Sequence, residues 1–361
     1  MNTRGSIRLA TRGSDLALRQ TASVSDRLAG RRRTVETVEV STRGDEIRDE
    51  LIHRLGKTGA FVRALDERVL DGDVDAAVHS MKDMPTESPP ELVVAGVPDR
   101  EQAGDVLVTR DGVALEDLPE GATVGTSSLR RGAQLRAERS DLTVEPLRGN
   151  VDTRLEKLLA PNLQREHQQR LDAEDEAEGE HPDAFDRSAQ EWFDALSELE
   201  RRALERTVET EYDAVVLAEA GLARSGLLER VGTVRLPKER FVPSPGQGAI
   251  AVTARAGTEA VETIRNAVDD PVTRVETTVE RTILAELGGG CIAPIGVYAV
   301  VQGEYVHVVV QVLSLDGTET VERTANLPVE DHADAAASLA ADLREAGAAE
   351  LIDRAREEAE E

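Results

Sequence analysis

The sequence predicts an α/β chain of more than one domain, and three observations predict it. The chain of 361 residues is longer than one ordinary core organises, short apolar runs alternate with amphipathic helical segments over the first two thirds, and the last ninety or so residues follow a different order. An apolar run at Ile7 to Thr11 reads as a strand, Ser14 to about Leu28 as an amphipathic helix, and Val35 to Ser41 as a second strand, which together give a parallel layer. A helix from Phe61 to Leu70 stops at the Asp71-Gly72-Asp73 turn. The run Val74 to Val78 then reads as a buried strand that delivers His79-Ser80-Met81-Lys82-Asp83 to its carboxyl end, where open α/β sheets hold their ligands.

After Pro98 to Gly104 a second series begins: strands at Val106 to Thr109 and Thr123 to Thr126, a helix from Ser128, a strand at Thr143 to Leu147 and a helix from Val151. This order predicts a second doubly wound domain. From about 160 to 211 the pattern gives way to a polar tract of net charge −10, with six arginines and sixteen acids, weakly helical near its end, which reads as a solvated, mobile insertion in preference to a partner site. The sheet pattern resumes at Asp213 to Ala218. Two prolines and two glycines in Val242 to Gly248 suggest a crossing between domains. The end of the chain reads as a small α+β domain: a helix from about Val272 to Leu287, a Gly-rich turn, strands near Ile295 to Val301 and Tyr305 to Leu313, and an Ala-rich helix from about His332.

Composition narrows the function. The formal charge is −27, and the only lysines are Lys57, Lys82, Lys157 and Lys238. So acidic and lysine-poor a surface is best tolerated where salt shortens the Debye length, and a salt-adapted source is expected. Nucleic acid and anionic membrane are disfavoured as partners because both need a positive surface. No apolar run is long enough to span a bilayer and no signal-peptide core opens the chain, so a cytoplasmic location is expected. One cysteine, Cys291, excludes an intramolecular disulfide and a Cys-rich zinc site, and no metal site is expected.

Arginines recur beside Ser, Thr and Gly at the ends of predicted strands: Arg12 with Ser14 in Ala-Thr-Arg-Gly-Ser, Arg130 and Arg131 after Ser127 and Ser128, Arg148 in Leu-Arg-Gly-Asn, and Arg154 three residues past Val151. Hydroxyls, free N–H groups at helix starts and planar guanidiniums are what a carboxylate or phosphate needs, so the predicted ligand is an anion. Taken singly, each serine could be an ordinary N-cap and each arginine a solvated side chain. Lys82 and Asp83 follow a buried strand and precede Met84-Pro85, so both should project at the sheet rim. Asp83 is either a proton-transfer group or a turn residue, and His79 either a base or a packed, hydrogen-bonded side chain. Cys291 follows Gly288, Gly289 and Gly290; the glycines favour an exposed attachment point or nucleophile over the small buried hydrophobe that a lone cysteine more commonly is.

These segments resemble the porphobilinogen deaminase family over nearly the whole chain apart from the 160–211 tract. The motifs are Ile7 to Arg12, Ser41-Thr42-Arg43-Gly44-Asp45, Asp75 to Pro85, Val124 to Arg131, Leu147 to Leu155, Pro245 to Ala249 and Gly289 to Gly296. The resemblance implies two α/β domains in a two-lobed arrangement like that of binding proteins, 1–100 with about 249–267 and 104–242, followed by an α+β domain over 271–361 that carries the cofactor cysteine. It also implies a dipyrromethane primer on Cys291, to which porphobilinogen units add head to tail with loss of ammonia until hydrolysis releases hydroxymethylbilane. By the same resemblance Asp83 is catalytic; Lys82, Ser128, Arg130 and Arg131 hold the cofactor; and Arg12, Ser14, Arg148, Arg154 and Arg224 hold substrate carboxylates. A monomer is expected from the family and from the self-repelling charge.

The chain departs from the family pattern in three places. Lys57-Thr58-Gly59-Ala60-Phe61 displaces a family lysine by one position, which leaves open whether Lys57 or Thr58 replaces it. Ala103-Gly104-Asp105 stands where Pro-Arg-Asp is usual, and the acidic tract has no counterpart. The rival reading is a two-domain binding protein for a small anionic ligand, which would need the same arginines and helix starts but neither a third domain nor Cys291. A Schiff-base role for Lys82 lacks any recognisable phosphate loop around it.

Overall fold

The computed structural model describes residues 5–29, 33–40, 60–176, 185–288 and 293–360. The Ser41 to Asp45 motif, Lys57, Thr58 and Cys291 lie outside the described residues.

The first sheet is built from β1 (Ser6–Thr11), β2 (Thr34–Glu39), β3 (Ala76–Ser80), β4 (Leu92–Gly96) and β10 (Ile250–Arg255), in the order β2-β1-β3-β10-β4. β1 is parallel to β2 and β3, with Ser6 opposite Thr34 and Leu9 opposite Ala76, whereas β10 runs antiparallel to both its neighbours. Side chains alternate along the strands as the pleat requires. Leu9, Ala76, Val78 and Val252 face α1 (Asp15–Leu28) and α8 (Glu259–Val268), through Val24 and Ile264. Ala10 and Ala77 face α2 (Ala60–Leu70), through Leu65 and Val69. Pairing in β3 starts at Ala76, two residues later than the apolar run suggests, because the Asp75 carboxylate is engaged by the backbone N–H of Arg8 at 2.8 Å.

The second sheet repeats that plan with β5 (Asp105–Thr109), β6 (Thr123–Gly125), β7 (Thr143–Glu145), β8 (Ala214–Ala218) and β9 (Gly232–Arg235), in the order β7-β6-β8-β5-β9. Here β5 is the antiparallel strand in the position that β10 holds in the first sheet. Leu135 of α3 (Leu129–Glu138) packs on one face, and Leu155 and Leu158 of α4 (Val151–Glu176) with Leu222 of α7 (Glu219–Ser225) pack on the other. Two crossovers join the sheets, one between β4 and β5 and one between β9 and β10. They touch where the Glu101 N–H donates to the Gly248 carbonyl at 3.2 Å. Gly248 has φ +85° and a Cβ there would lie 2.5 Å from the Glu101 carbonyl oxygen, so only glycine fits the contact.

The 160–211 tract is not a solvated excursion in its described part. α4 runs on through Pro161 to Glu176, and α5 (Ala189–Ala195) and α6 (Glu198–Leu204) fold back beside it, each opened by a serine capping box. Ala160, Leu163, Trp192 and Ala203 form a buried cluster, so a few apolar residues spaced among many charges suffice to fix the helices. Arg170 lies over the rings of Phe185 and Trp192, at 4.4 and 5.3 Å from their centroids.

The third domain packs α9 (Pro271–Glu286), α10 (His332–Leu343) and α11 (Ala349–Glu360) on the antiparallel sheet β11 (Ile295–Gln302), β12 (Tyr305–Leu313), β13 (Thr320–Pro328). Its grip on the rest centres on Glu280 of α9, which is fully buried. The carboxylate accepts from the Arg100 guanidinium at 2.8 and 3.0 Å, from the Gly246 N–H at 2.7 Å and from the Ala299 N–H at 2.9 Å. One side chain thereby fastens both crossovers to the third domain.

Candidate active site

The apolar strand β3 ends in a single 3-10 turn, Met81–Asp83. Met81 and Met84 are both buried and pin the turn on either side, so Lys82, half-buried, and Asp83, exposed, project between them. The turn is braced by its neighbours. The Met81 N–H donates to the Ala249 carbonyl at 3.1 Å, and Gly246 passes so close that a Cβ would lie 2.8 Å from Met81 Cγ. Arg281 of α9 donates to the carbonyls of Met81 and Met84 at 3.4 Å and of Pro85 at 2.5 Å. The helix that leads into the glycine segment before Cys291 is therefore bound to the turn that carries Asp83.

The facing wall comes from the second lobe. Ser128 caps α3 through the Arg131 N–H at 3.4 Å, which sets the first helical turn and with it Arg130 and Arg131. Both guanidiniums are buried and share one carboxylate: Asp105 accepts from Arg130 at 2.8 Å and from Arg131 at 2.7 Å. Burial alone would raise the Asp105 pKa, but Arg131 and Arg130 overcome it and hold the group well below the usual carboxylate range. The Gln247 amide donates to Asp105 at 2.8 Å and to the Ala103 carbonyl at 2.5 Å, while its oxygen lies 3.4 Å from Arg131.

Arg130 is further engaged by Gln134 and by the Val242 carbonyl, both at 2.8 Å, so it ties α3 to the second crossover. Arg131 also donates to the Val216 carbonyl of β8 at 3.3 Å, and its charge reaches Lys82 of the first lobe. Burial lowers the Lys82 pKa, and Arg131 and Arg154 lower it further against the opposing pull of Asp83 and Asp105. Burial, with Arg131, likewise lowers Arg154 to about 10, while Asp83 opposes. Lys82, Asp83, Arg131 and Arg154 thus form one electrostatic cluster across the two lobes.

The other expected residues are more dispersed. Ser14 caps α1 through the Ala17 N–H at 3.4 Å, and Arg12 is half-buried at the carboxyl end of β1. Arg224 donates to the Gly248 carbonyl at 2.7 Å, at the crossover; burial lowers its pKa, and Glu101 and Asp99 oppose. Arg148 lies on the loop before α4, lining a cavity of 840 Å³ between α4 and the segment after α6. His79 is buried, with its Nε2 3.0 Å from both Asp66 and Thr253, which is the packed arrangement and not a reactive one. A cavity of 910 Å³ between α4, α6 and β9 touches neither Lys82 nor Asp83.

Sequence reasoning missed Asp105 and Gln247 as the groups that orient Arg131, and Glu280 and Arg281 as the bonds between the third domain and the site. Asp105 was visible only as the remainder of an altered motif, and Gln247 only within Pro-Gly-Gln-Gly.

The residues suit a dipyrromethane with its several carboxylates. The Nε groups of Arg130 and Arg131 are buried without a hydrogen-bond partner, and the Lys82 ammonium has no hydrogen bond or ion pair among the described residues. Among those residues no group of three or more His, Cys, Asp or Glu could hold a metal ion, and no helix is long and apolar enough to cross a membrane.

Comparison with known proteins agrees with this chemistry. The model described as porphobilinogen deaminase, dipyromethane cofactor binding domain, matches residues 7–166 and 197–263, and the model of the porphobilinogen deaminase C-terminal domain matches residues 275–345. The unmatched stretch between 166 and 197 is narrower than the tract set apart by composition. A probable porphobilinogen deaminase of Halobacterium salinarum is 54% identical, covering 98% of this chain and 99% of that protein. A porphobilinogen deaminase of Oceanobacillus iheyensis is 37% identical over 97% of each. A TRAP solute binding protein from a marine metagenome covers 99% of this chain and 98% of its own at 10% identity, with a TM-score of 0.34, too low to bear on function. With family models and full-length relatives in agreement, the chain belongs to the porphobilinogen deaminase family.

Proposed function

We propose that the chain is a hydroxymethylbilane synthase, a transferase of tetrapyrrole biosynthesis that joins four porphobilinogen molecules on a dipyrromethane primer and releases the linear product by hydrolysis. The observation that carries the reading is the cluster of Lys82, Asp83, Arg131 and Arg154, which sets one carboxylate among cations contributed by both lobes. When bound, dipyrromethane supplies the terminal pyrrole carbon to which each new ring is joined.

The protein groups divide by chemistry. Asp83 accepts the pyrrole N–H and balances positive charge as ammonia leaves porphobilinogen. Lys82, Ser128 and Arg131 hold cofactor carboxylates, and Arg130 shapes that wall through its bonds to Asp105 and Val242. Arg12, Ser14, Arg148, Arg154 and Arg224 take the acetate and propionate groups of incoming and joined rings. Cys291 anchors the primer through a thioether. The acidic, lysine-poor composition supports a salt-adapted, cytoplasmic monomer without nucleic-acid or membrane partners.

Intact-mass measurement tests the reading. Protein made with its cofactor should carry a two-pyrrole adduct that Cys291→Ala lacks, and it should consume porphobilinogen with release of ammonia. Active protein with an unmodified thiol would refute the anchor, and binding without ammonia release would favour the binding-protein rival.

A further inference from the structure

Gly104 is a glycine that its backbone does not require. Its φ lies outside the left-handed region that holds Gly246 and Gly248 nearby, so the chain there would accept a side chain. What a Cβ at 104 would meet is Lys238, with Cε at 3.3 Å and Cγ at 3.9 Å, and then Glu219 Oε2 at 3.8 Å. An arginine is usual at this position in the family, so a cation has left the first crossover while another enters the same space from the second.

Lys238 is held where it can do this. It sits in a turn closed by the Arg240 N–H on the Pro237 carbonyl at 3.1 Å, between the buried Leu236 and Phe241. From there the half-buried side chain passes Gly104. Its ammonium donates to the Tyr298 hydroxyl at 3.1 Å, lies 4.7 Å from the centre of that ring, and has Gln102 Oε1 at 3.5 Å. Tyr298 belongs to β11, so the contact joins the second crossover to the third domain across the end of the first.

The place matters because Gly104 lies in the mount of Arg131. The Gln247 amide donates to the Ala103 carbonyl at 2.5 Å, the Gly104 carbonyl at 3.2 Å and the Asp105 carboxylate at 2.8 Å, and the Glu219 N–H donates to the Gly104 carbonyl at 3.1 Å. Asp105 in turn accepts from Arg131 at 2.7 Å. A shift of Gly104 therefore reaches the guanidinium through one residue. We propose that Lys238 stands in for the arginine usual at position 104 and is a positioning residue, setting the Ala103–Asp105 segment and, through Asp105, the Arg131 guanidinium. Its part in turnover rests on the synthase reading.

The test compares cofactor-loaded wild type with Lys238→Ala, Gly104→Arg and the double variant, by kcat and KM for porphobilinogen and by thermal midpoint. Lys238→Ala should lower kcat roughly threefold to tenfold with KM little changed, because Arg131 grips the cofactor and not the incoming ring. Gly104→Arg alone should also lower kcat, since it sets two cations in one space and pushes Lys238 aside. In the double variant the guanidinium has that space and the buried Glu219 beside it, and kcat should return to within about twofold of wild type. Losses that multiply in the double variant overturn the proposal. So does a wild-type kcat in Lys238→Ala, whatever its midpoint, because that is the mark of a merely structural contact. Wild type that releases no ammonia overturns the synthase reading instead; the exchange is then read from the midpoints, where additive shifts overturn it.

Discussion

Asp105 shows what a single carboxylate does between two guanidiniums. It neutralises one charge of the Arg130–Arg131 pair and fixes both side chains, so the site keeps one net positive charge on a rigid mount. That the paired arginines face an anion could be read from their place after Ser127 and Ser128. That Arg130 would be engaged by an acid 25 positions earlier could not, because only the antiparallel insertion of β5 beside β8 brings Asp105 beneath α3. Lys82 carries a prediction at this scale. Its pKa lies below the ordinary 10.5, chiefly through burial, so its charge is lost earlier as pH rises. Turnover that depends on a firmly held cofactor should therefore fall at a pH below 10.5, and Lys82→Arg should move the fall upward. Steady-state kinetics from pH 7 to about 10.5 checks this, and a profile identical in both proteins would remove Lys82 from carboxylate binding.

At the level of elements, strands with clean apolar runs were legible: β1, β5, β8 and β12 stand close to where periodicity puts them. β13 escaped notice because Thr320–Pro328 is an edge strand with mostly exposed polar side chains, which leave no alternation to read. The start of α4 at Val151 was legible, but its continuation past Ala160 was lost behind its charges, since Ala160 and Leu163, with Trp192 of α5, are too widely separated to form an obvious stripe. Helix α9 was read nearly end to end, but nothing in its pattern revealed that Glu280 faces inward. Glu280→Gln should weaken the bond to Arg100, leave a buried guanidinium poorly compensated, and destabilise the protein by about 3 kcal/mol. Urea unfolding with third-domain and lobe probes should show both transitions moving, since the carboxylate joins all three bodies. Movement of the third-domain transition alone would disprove its role in fastening the crossovers to the third domain.

For the whole molecule, the charge of −27 predicts how salt acts. Going from about 0.1 to about 1 M KCl shortens the Debye length from roughly 10 to 3 Å, which relieves repulsion among acids at the surface while leaving buried pairs such as Asp105–Arg131 nearly intact. The thermal midpoint should rise across that range, and a flat or falling midpoint would count against salt adaptation. Two lobes, two crossing strands and an outside body joined to both by Glu280 also have a mechanical meaning. The third domain braces the segments that pass between the lobes and belongs to neither lobe. A turn of one lobe against the other would flex those segments on either side of the Arg100 and Gly246 contacts, so the Glu280 carboxylate would mark the pivot.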